Sequence, residues 1–176
     1  MIENTLFLAR ADNAQLAVRR DRLDVHEELE HIREYFEMVA EDRQIVLGLD
    51  DVPPVPLSAD PVLLQRAVNS LVSNAIAHTP QGGVVSLGAD TDGAWLTIRV
   101  ANSGAGIPPA HIAHVFERYY RGDDARTTGS SAGLGLAIVR AIMRLHGGTA
   151  DVESIPGQRT VFLLRFPVQP AVQPAV

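Results

Sequence analysis

The stretch Asn102-Ser103-Gly104-Ala105-Gly106-Ile107 decides the fold, together with Gly133-Leu134-Gly135-Leu136 further along the chain. The first stretch is a glycine turn after an apolar strand, and the second opens a predicted helix. Glycine lets a backbone approach a nucleotide closely, and the free amides at a helix start favour phosphate. Upstream of both, a predicted helix carries Asn74 near its end. This order of an asparagine-bearing helix, a glycine turn and a glycine-opened helix predicts an ATP site.

The composition describes one globular domain with a sizeable core. The 176 residues are 46% hydrophobic and 20% charged, with a net charge of -6. This acidity argues against non-specific binding to nucleic acid. No apolar run reaches the roughly 20 residues that span a bilayer, and we recognise no signal peptide. We expect no nucleic-acid partner and no membrane contact for this part, and the absence of cysteine fits a reducing, cytoplasmic compartment.

Helical and strand patterns alternate along most of the chain. They predict helices at 2–20, 27–42, 61–79, 108–116 and 133–146, and strands at 21–25, 44–49, 84–89, 94–100, 149–154 and 159–166. This order predicts an α+β fold, a two-layer α/β sandwich in which a mixed sheet carries helices on one face. Residues 118–132 lack an apolar period and predict a mobile loop, and the Gln-Pro-Ala-Val repeat in 169–176 predicts a disordered tail.

The first predicted helix has one narrow apolar stripe. Ile2, Leu6 and Ala9 are followed at heptad spacing by Asn13 and Leu16. Such a seam indicates either an amphipathic helix that packs on its own domain or the end of a longer coiled-coil element. The sequence alone leaves both interpretations open.

The order of these motifs resembles the ATP-binding domain of bacterial sensor histidine kinases, in the superfamily that includes gyrase, Hsp90 and the MutL repair proteins. Five landmarks carry the resemblance: the helix through Asn74, the glycine turn 102–107, and the segments 116–121, 133–139 and 157–160. The segment 116–121, Phe-Glu-Arg-Tyr-Tyr-Arg, is peculiar to the kinases. Residues 6–12 and 40–43 are most similar to the heavy-metal sensor kinases of the copper or silver type.

The resemblance implies a Bergerat-type ATP-binding fold in three parts. Residues 1–20 would be the C-terminal stub of the dimerisation and phosphoacceptor helix, residues 21–168 the catalytic domain, and residues 169–176 the tail. The implied cofactors are ATP and Mg²⁺. The implied partners are the phosphoacceptor helix of its own full-length kinase, which would be a homodimer, and a response regulator. The full-length protein would lie in the bacterial inner membrane, with this fragment on the cytoplasmic side.

The resemblance also gives roles to single residues. Asn74 would be a catalytic residue and the Mg²⁺ ligand, since an amide oxygen can complete a metal shell of phosphate oxygens and water. Asn102 would accept the amino hydrogen of adenine, and Arg118 and Arg121 would be catalytic cations beside the phosphates. The other nucleotide-contacting candidates are His78, Gly104, Gly106, Ile107, Arg126, Gly133, Leu134, Gly135, Leu136 and Thr160.

Several positions depart from the family pattern. Ser70 stands where the helix usually carries a first asparagine, and Ala77 stands where a lysine or arginine often contacts phosphate. Asn102 replaces the usual aspartate, and Arg159 replaces the glycine that usually precedes Thr160. A neutral acceptor makes a weaker hydrogen bond than a carboxylate. We therefore expect a modest affinity for ATP, in the micromolar to millimolar range.

These assignments predict transfer of the γ-phosphoryl group of Mg·ATP to a histidine of the dimerisation domain, in a sensor that responds to metal ions. The family's phosphoacceptor histidine is followed by an acid, an apolar residue, a basic residue and Thr-Pro. No histidine here has this context, and His26-Glu27-Glu28-Leu29 lacks its continuation. We expect no autophosphorylation of this chain alone. The alternatives are an inactive nucleotide-sensing or partner-binding module, and a protein-serine kinase of the anti-sigma-factor type.

Overall fold

A computed structural model of the chain describes residues 2–12, 16–120 and 133–168. The helices in these residues are α1 (Ile2–Asp12), α2 (Val25–Asp42), α3 (Pro61–His78), α4 (Pro109–Ile112) and α5 (Gly135–Leu145). The strands are β1 (Asp21–Asp24), β2 (Val46–Leu49), β3 (Pro56–Ala59), β4 (Val84–Thr91), β5 (Trp95–Ser103), β6 (Thr149–Ile155) and β7 (Arg159–Pro167). None of the helices in the described ranges is long and apolar enough to cross a membrane.

The main sheet has five strands in the order β2-β4-β5-β7-β6. β2 runs parallel to β4, and the other neighbours are antiparallel. Buried positions alternate with more exposed ones along β5, which is typical of a strand with one covered face. α2, α3 and α5 pack against this sheet. The predicted two-layer sandwich with a mixed sheet is confirmed.

α3 is the central helix of the apolar core. Its buried side chains recur at helical spacing and are Leu63, Leu64, Ala67, Val68, Leu71, Val72, Ala75 and Ile76. The Asp60 carboxylate caps the helix start by accepting hydrogen bonds from the amides of Val62 and Leu63 at 3.0 and 3.1 Å. The Asp60-Pro61 start signal is thereby confirmed. At the other end, the Thr79 hydroxyl donates to the Ala75 carbonyl at 2.6 Å.

A buried histidine joins the start of α3 to the end of α5. The Asp60 amide donates to Nε2 of His146 at 3.0 Å, and His146 Nδ1 donates to the Ile142 carbonyl at 2.8 Å. Since one ring nitrogen accepts and the other donates, the imidazole is neutral. Burial lowers the pKa of His146 from its usual value, although the Ile142 carbonyl acts in the opposite direction. The two helices are therefore fixed to each other at this end.

The structure corrects the length of the first predicted helix. The sequence predicted a helix over 2–20, but α1 ends at Asp12 and residues 16–20 are not helical. The Arg19 amide donates to Oδ2 of Asp60 at 3.1 Å, so a side-chain oxygen takes the place of a helical acceptor. Residues 13–15 lie outside the described part of the chain.

The packed face of α1 also differs from the predicted stripe. Phe7 and Leu8 are buried against the domain, whereas Ile2 and Leu6 are 79% and 51% exposed. α1 therefore packs on its own domain through a different stripe from the heptad positions. The helix has apolar residues on two sides, and the prediction that residues 1–20 end a longer coiled-coil element stays a prediction.

Other differences are local. β3 was not predicted; it pairs antiparallel with β1, with Leu57 opposite Leu23. The helix predicted over 108–116 is reduced to α4, and α5 begins two residues later than predicted, at Gly135. Most of the predicted loop, residues 121–132, and the predicted tail 169–176 lie outside the described residues.

Candidate functional site

The first glycine turn lies between the end of α3 and the turn that joins β6 to β7. Gly104 has a φ of +147°, and a Cβ there would lie 2.8 Å from the carbonyl oxygen of His78. Gly106 has a φ of +75°, and its Cβ would lie 2.9 Å from the Ile155 carbonyl oxygen and from Pro156 Cα. Both conformations and both contacts exclude side chains at these positions. The turn is thus in close contact with backbone on either side.

Asn102 lies at the end of β5, directly before this turn. It is 6% exposed and stands opposite Thr160 of β7 in the sheet register. Its Nδ2 donates to the Ser103 carbonyl at 3.0 Å. Its Oδ1 accepts no hydrogen bond from the described residues and is not sealed in the core. Asn102 therefore presents an available acceptor, as adenine binding at this position requires.

A serine that the sequence did not single out supports the same turn. The Ser154 hydroxyl accepts from the Ile107 amide at 2.8 Å and donates to the Arg159 carbonyl at 3.2 Å. It also lies 2.9 Å from the Thr160 hydroxyl. Because a hydroxyl has one proton, Thr160 is the donor in that bond. The cross-strand pairing of Ser154 with Thr160 is the signal that could have revealed this residue, since two small hydroxyl side chains face each other there.

The second glycine segment, residues 133–136, lies between two parts of the chain. Tyr119 and Tyr120 contact it on one side, and Ser70 of α3 contacts it on the other. Gly133 has a φ of +66°, and a Cβ there would lie 3.0 Å from the backbone of Tyr119. A Cβ at Gly135 would lie 2.9 Å from Oγ of Ser70. Leu134 between them is buried in the core, and Leu136 packs against the core from a partly buried position. The segment anchors α5 through its leucines and brings its start against α3 through its glycines.

The residue before α5 does not cap it with a side-chain hydrogen bond. α2 is capped by Asp24, and α3 is capped by Asp60. The corresponding residue of α5 is Leu134, which makes no side-chain hydrogen bond to the helix. Within the described residues, the first amides of α5 therefore have no side-chain acceptor, and the helix dipole adds partial positive charge there. Such a helix end is a site for an anion.

α3 connects the two glycine segments. Ser70, Asn74 and His78 follow one another at four-residue spacing, so they lie on one face of the helix. Ser70 contacts the start of α5, and the His78 carbonyl contacts Gly104. The rise of the helix separates these two contacts by about 12 Å. Asn74 lies between them, and its side chain makes no hydrogen bond with the described residues.

The structure shows what surrounds Ser70, the position of α3 where the family usually has an asparagine. The hydroxyl of Ser70 occupies the contact with Gly135. Asn69 next to it has a buried Oδ1 without a hydrogen-bond partner in the described ranges. A cleft of about 550 Å³ lies beside this contact, and its lining includes Asn69, Ser70, Ser73 and Gly135. His78 ends the helix with an exposed side chain, its backbone carbonyl lies against Gly104, and a nucleotide contact of its imidazole stays a prediction.

The predicted cations are only partly placed. Arg118 is described, and its guanidinium pairs with the carboxylate of Asp12 on α1. Arg144 of α5 pairs with the same carboxylate at 3.1 Å. Arg121 and Arg126 lie outside the described residues. The structure therefore places Asn74 on the helix that connects the two glycine segments, sets Asn102 opposite Thr160 beside the first of them, and pairs Arg118 with Asp12 of α1.

The donor set fits a metal that arrives with a nucleotide. No group of three or more His, Cys, Asp or Glu side chains in the described part of the chain could hold a metal ion. Asn74 offers one neutral oxygen one helical turn from Ser70, which contacts the start of α5. Mg²⁺ usually keeps several waters and binds through few protein oxygens plus substrate phosphates. The residues present are therefore compatible with Mg²⁺ bound mainly by phosphate and water.

The chain is similar to known proteins along most of its length. Residues 59–170 match the family model described as histidine kinase-, DNA gyrase B- and HSP90-like ATPase. Sensor protein IrlS of Burkholderia pseudomallei is 43% identical over 97% of this chain and 37% of its own length. For sensor protein CzcS of Cupriavidus metallidurans the identity is 41%, over 97% of this chain and 36% of that protein. Sensor histidine kinase CusS of Escherichia coli is 36% identical over 95% of this chain and 35% of its own length.

Solved structures show the same fold. Full-length ShkA in complex with AMPPNP matches with a TM-score of 0.85 at 28% identity, over 99% of this chain and 36% of that chain. The Acinetobacter baumannii histidine kinase AdeS matches with a TM-score of 0.80 at 20% identity, over 96% of this chain and 77% of that chain. The present chain spans little more than a third of the curated relatives that it matches.

Proposed function

This chain belongs to the family of histidine kinase-, DNA gyrase B- and HSP90-like ATPases, and we propose that it is the ATP-binding part of a longer sensor histidine kinase. It binds Mg·ATP along α3 and supplies the γ-phosphoryl group for transfer to a histidine. One observation carries the proposal: in the part of the chain that the structure describes, α5 starts without a capping side chain, next to the helix that holds Asn74. Phosphoryl transfer requires mainly positioning and charge neutralisation, and both are available here.

The phosphates are assigned to the start of α5. The amides of Gly135, Leu136 and Ala137 form the first turn of this helix and have no side-chain acceptor among residues 2–12, 16–120 and 133–168. Phosphate oxygens would accept these hydrogen bonds and interact favourably with the helix dipole. Gly135 permits the close approach of α5 to Ser70, so the phosphates would lie against α3.

Adenine is assigned to the opposite end of the same helix. Oδ1 of Asn102 is an available acceptor for the adenine amino group. The Ile107 amide and the Thr160 hydroxyl are both bound to Ser154, and these bonds fix the glycine turn beneath the base. The distance of about 12 Å along α3 separates the base site from the phosphate site.

Asn74 is assigned to the metal. Mg²⁺, when bound, neutralises phosphate charge and joins the triphosphate to the protein. The Asn74 side chain is free of hydrogen bonds to the described residues and can supply a neutral oxygen. The absence of a carboxylate cluster in the described ranges makes metal binding dependent on the nucleotide.

The partners of the parent protein follow from the family and not from the site. The chain covers 37% of sensor protein IrlS, so the remaining parts of a sensor kinase would lie outside it. We propose that the parent protein has a phosphoacceptor domain, forms a homodimer and acts on a response regulator. We also propose an inner-membrane parent that responds to metal ions, on the similarity of residues 6–12 and 40–43 to heavy-metal sensor kinases. The relatives reported above are named sensor proteins or kinases, which favours this proposal over an inactive module or a serine kinase.

Titration calorimetry tests the nucleotide site. ATP should bind more tightly with Mg²⁺ than without it, and Asn74→Ala should reduce this difference by about tenfold, or about 1.4 kcal/mol. Gln65→Ala is the comparison variant, because it removes an exposed amide from the same helix, one that donates to Glu28 of α2. Absence of heat at millimolar nucleotide, with and without Mg²⁺, would refute the proposal.

Labelled ATP tests the transfer step. The chain alone should take up no label, and addition of the phosphoacceptor domain of the parent protein should give acid-labile label on that domain. Acid-stable label on an added protein would favour the serine-kinase alternative. Binding of ATP without transfer to any acceptor would favour the inactive module.

A further inference from the structure

α1 is anchored to the ATP-binding domain through α3. Phe7 and Leu8 of α1 are buried, and the guanidinium of Arg66 on α3 lies 4.3 Å from the centre of the Phe7 ring. Arg66 also donates to Oδ1 of Asn4 at 2.9 Å. An arginine that stacks on an aromatic ring and donates a hydrogen bond to the same helix fixes both position and rotation. The end of α1 is thereby held in one place.

That end carries Asp12, which pairs with two cations of the ATP-binding domain. One is Arg118, and the other is Arg144 at 3.1 Å. The hydrogen bond from Arg118, with a smaller effect of Arg144, holds the pKa of the Asp12 carboxyl below its usual value. The carboxylate is therefore charged at neutral pH and attracts both guanidinium groups. We call this group of three the Asp12 contact.

Arg118 is close to the proposed phosphate site. The residue after it, Tyr119, donates its amide hydrogen to the carbonyl of Gly133 at 2.9 Å. Gly133 is two residues before the first amide of α5. An arginine in this position is a candidate partner for phosphate oxygens, which bind guanidinium bidentately. In the structure its guanidinium is engaged by Asp12.

We propose that Asp12 competes with the phosphates of ATP for Arg118, so that the docked position of α1 lowers nucleotide affinity and nucleotide binding loosens α1. This inference rests on the proposed function, since it requires phosphates at the start of α5. Asp12 binds Nη2 of Arg118, which a bidentate phosphate contact also uses, and the two anions repel each other when they share one guanidinium. Reciprocity follows from linkage: whatever factor the Asp12 contact imposes on ATP binding, ATP imposes on the contact.

The test compares two substitutions that each remove one negative charge from α1. Asp12→Asn should tighten binding of Mg·ATP by about two- to fivefold, the range that an exposed ion pair supports. Glu3→Gln is the control, because Glu3 lies in the first turn of α1, far from Arg118. The gain from Asp12→Asn should shrink when salt is raised from about 0.1 M to about 1 M. In the Arg118→Gln background the gain should vanish.

Hydrogen exchange of residues 2–12 measures the reverse effect, the loosening of α1 by bound nucleotide. Saturating Mg·ATP should speed the exchange of α1 in the unsubstituted chain and leave it unchanged in Arg118→Gln. Two results would overturn the inference while the proposed function stands: ATP binding that Asp12→Asn improves no more than Glu3→Gln, or a gain that persists without Arg118. Failure of the unsubstituted chain to bind ATP would overturn both.

Discussion

Gly106→Ala tests whether the glycine turn is held tightly against the β6–β7 turn. Gly106 and Gly157 have nearly equal φ values, +75° and +74°. Alanine in this left-handed conformation costs about 1–2 kcal/mol at either position. A Cβ at Gly106 would also lie 2.9 Å from backbone atoms of Ile155 and Pro156, whereas nothing lies within 4 Å of a Cβ at Gly157. The overlap adds about 1–3 kcal/mol at Gly106 alone.

Urea unfolding measures this difference. With a slope of about 2 kcal/mol per molar, Gly106→Ala should unfold at a midpoint about 0.5–1.5 M lower than Gly157→Ala. The comparison cancels the backbone term, because the two glycines share one conformation. Equal midpoints for the two variants, with equal slopes, would show that the turn can move away from Ile155 without cost. The close contact described here would then not constrain the site.

Three further predictions concern single side chains. Ser154→Ala removes the acceptor of the Ile107 amide, so urea unfolding should show a loss of about 1–3 kcal/mol; a smaller loss would mean that water replaces the hydroxyl. Asn102→Asp supplies a charged acceptor, and calorimetry should show about fivefold tighter ATP binding, or about 1 kcal/mol; unchanged affinity would place the base elsewhere. Burial holds the pKa of His146 below its usual 6.5, so the unfolded chain binds more protons and the free energy of unfolding should fall as pH drops below about 6.5. This fall should be smaller in His146→Gln than in His31→Gln, which removes an exposed imidazole; equal falls would contradict the assignment.

Much of the fold follows from local signals with a direct physical cause. Asp60-Pro61 predicts the start of α3 because a carboxylate and a proline both suit a helix start. Gly147 and Gly148 predict the end of α5, and Gly147 has a φ of +73°, as a glycine helix end requires. The Asp92-Gly93 turn predicts the hairpin between β4 and β5. In each case a few adjacent residues determine the conformation.

The sequence predictions of secondary structure were wrong where contacts with residues distant in sequence determine the conformation. Residues 16–20 are not helical, and the Arg19 amide bonds to Asp60, 41 positions away in the sequence. Periodicity within 2–20 cannot reveal such a contact. β3 is only four residues long and follows a proline-rich segment, so its alternation is too short to read. It forms because β1 provides an antiparallel partner.

The residues of the candidate site also fall into those that local sequence predicts and those that depend on distant contacts. The glycines were predictable, because a turn that approaches other backbone requires them, and the structure shows the contacts that forbid a Cβ. Ser154 was not predictable from its neighbours, because its role depends on the register of β6 with β7. The engagement of Arg118 by Asp12 depends on how α1 docks, which no local pattern encodes. The placement of ATP, Mg²⁺ and the phosphoacceptor remains a prediction from family resemblance and site chemistry.

The uncapped start of α5 has a consequence for work with the purified protein. A ligand that binds only the folded state raises its stability by about 2.7 kcal/mol at a hundred times its dissociation constant. Under the proposed function, ATP in the cell binds at this end of α5, acts as a helix cap and stabilises the folded state. Dialysis removes that cap, so a melting temperature measured in nucleotide-free buffer is a lower bound on the stability in the cell. Storage with nucleotide should accordingly protect the protein from proteolysis and aggregation.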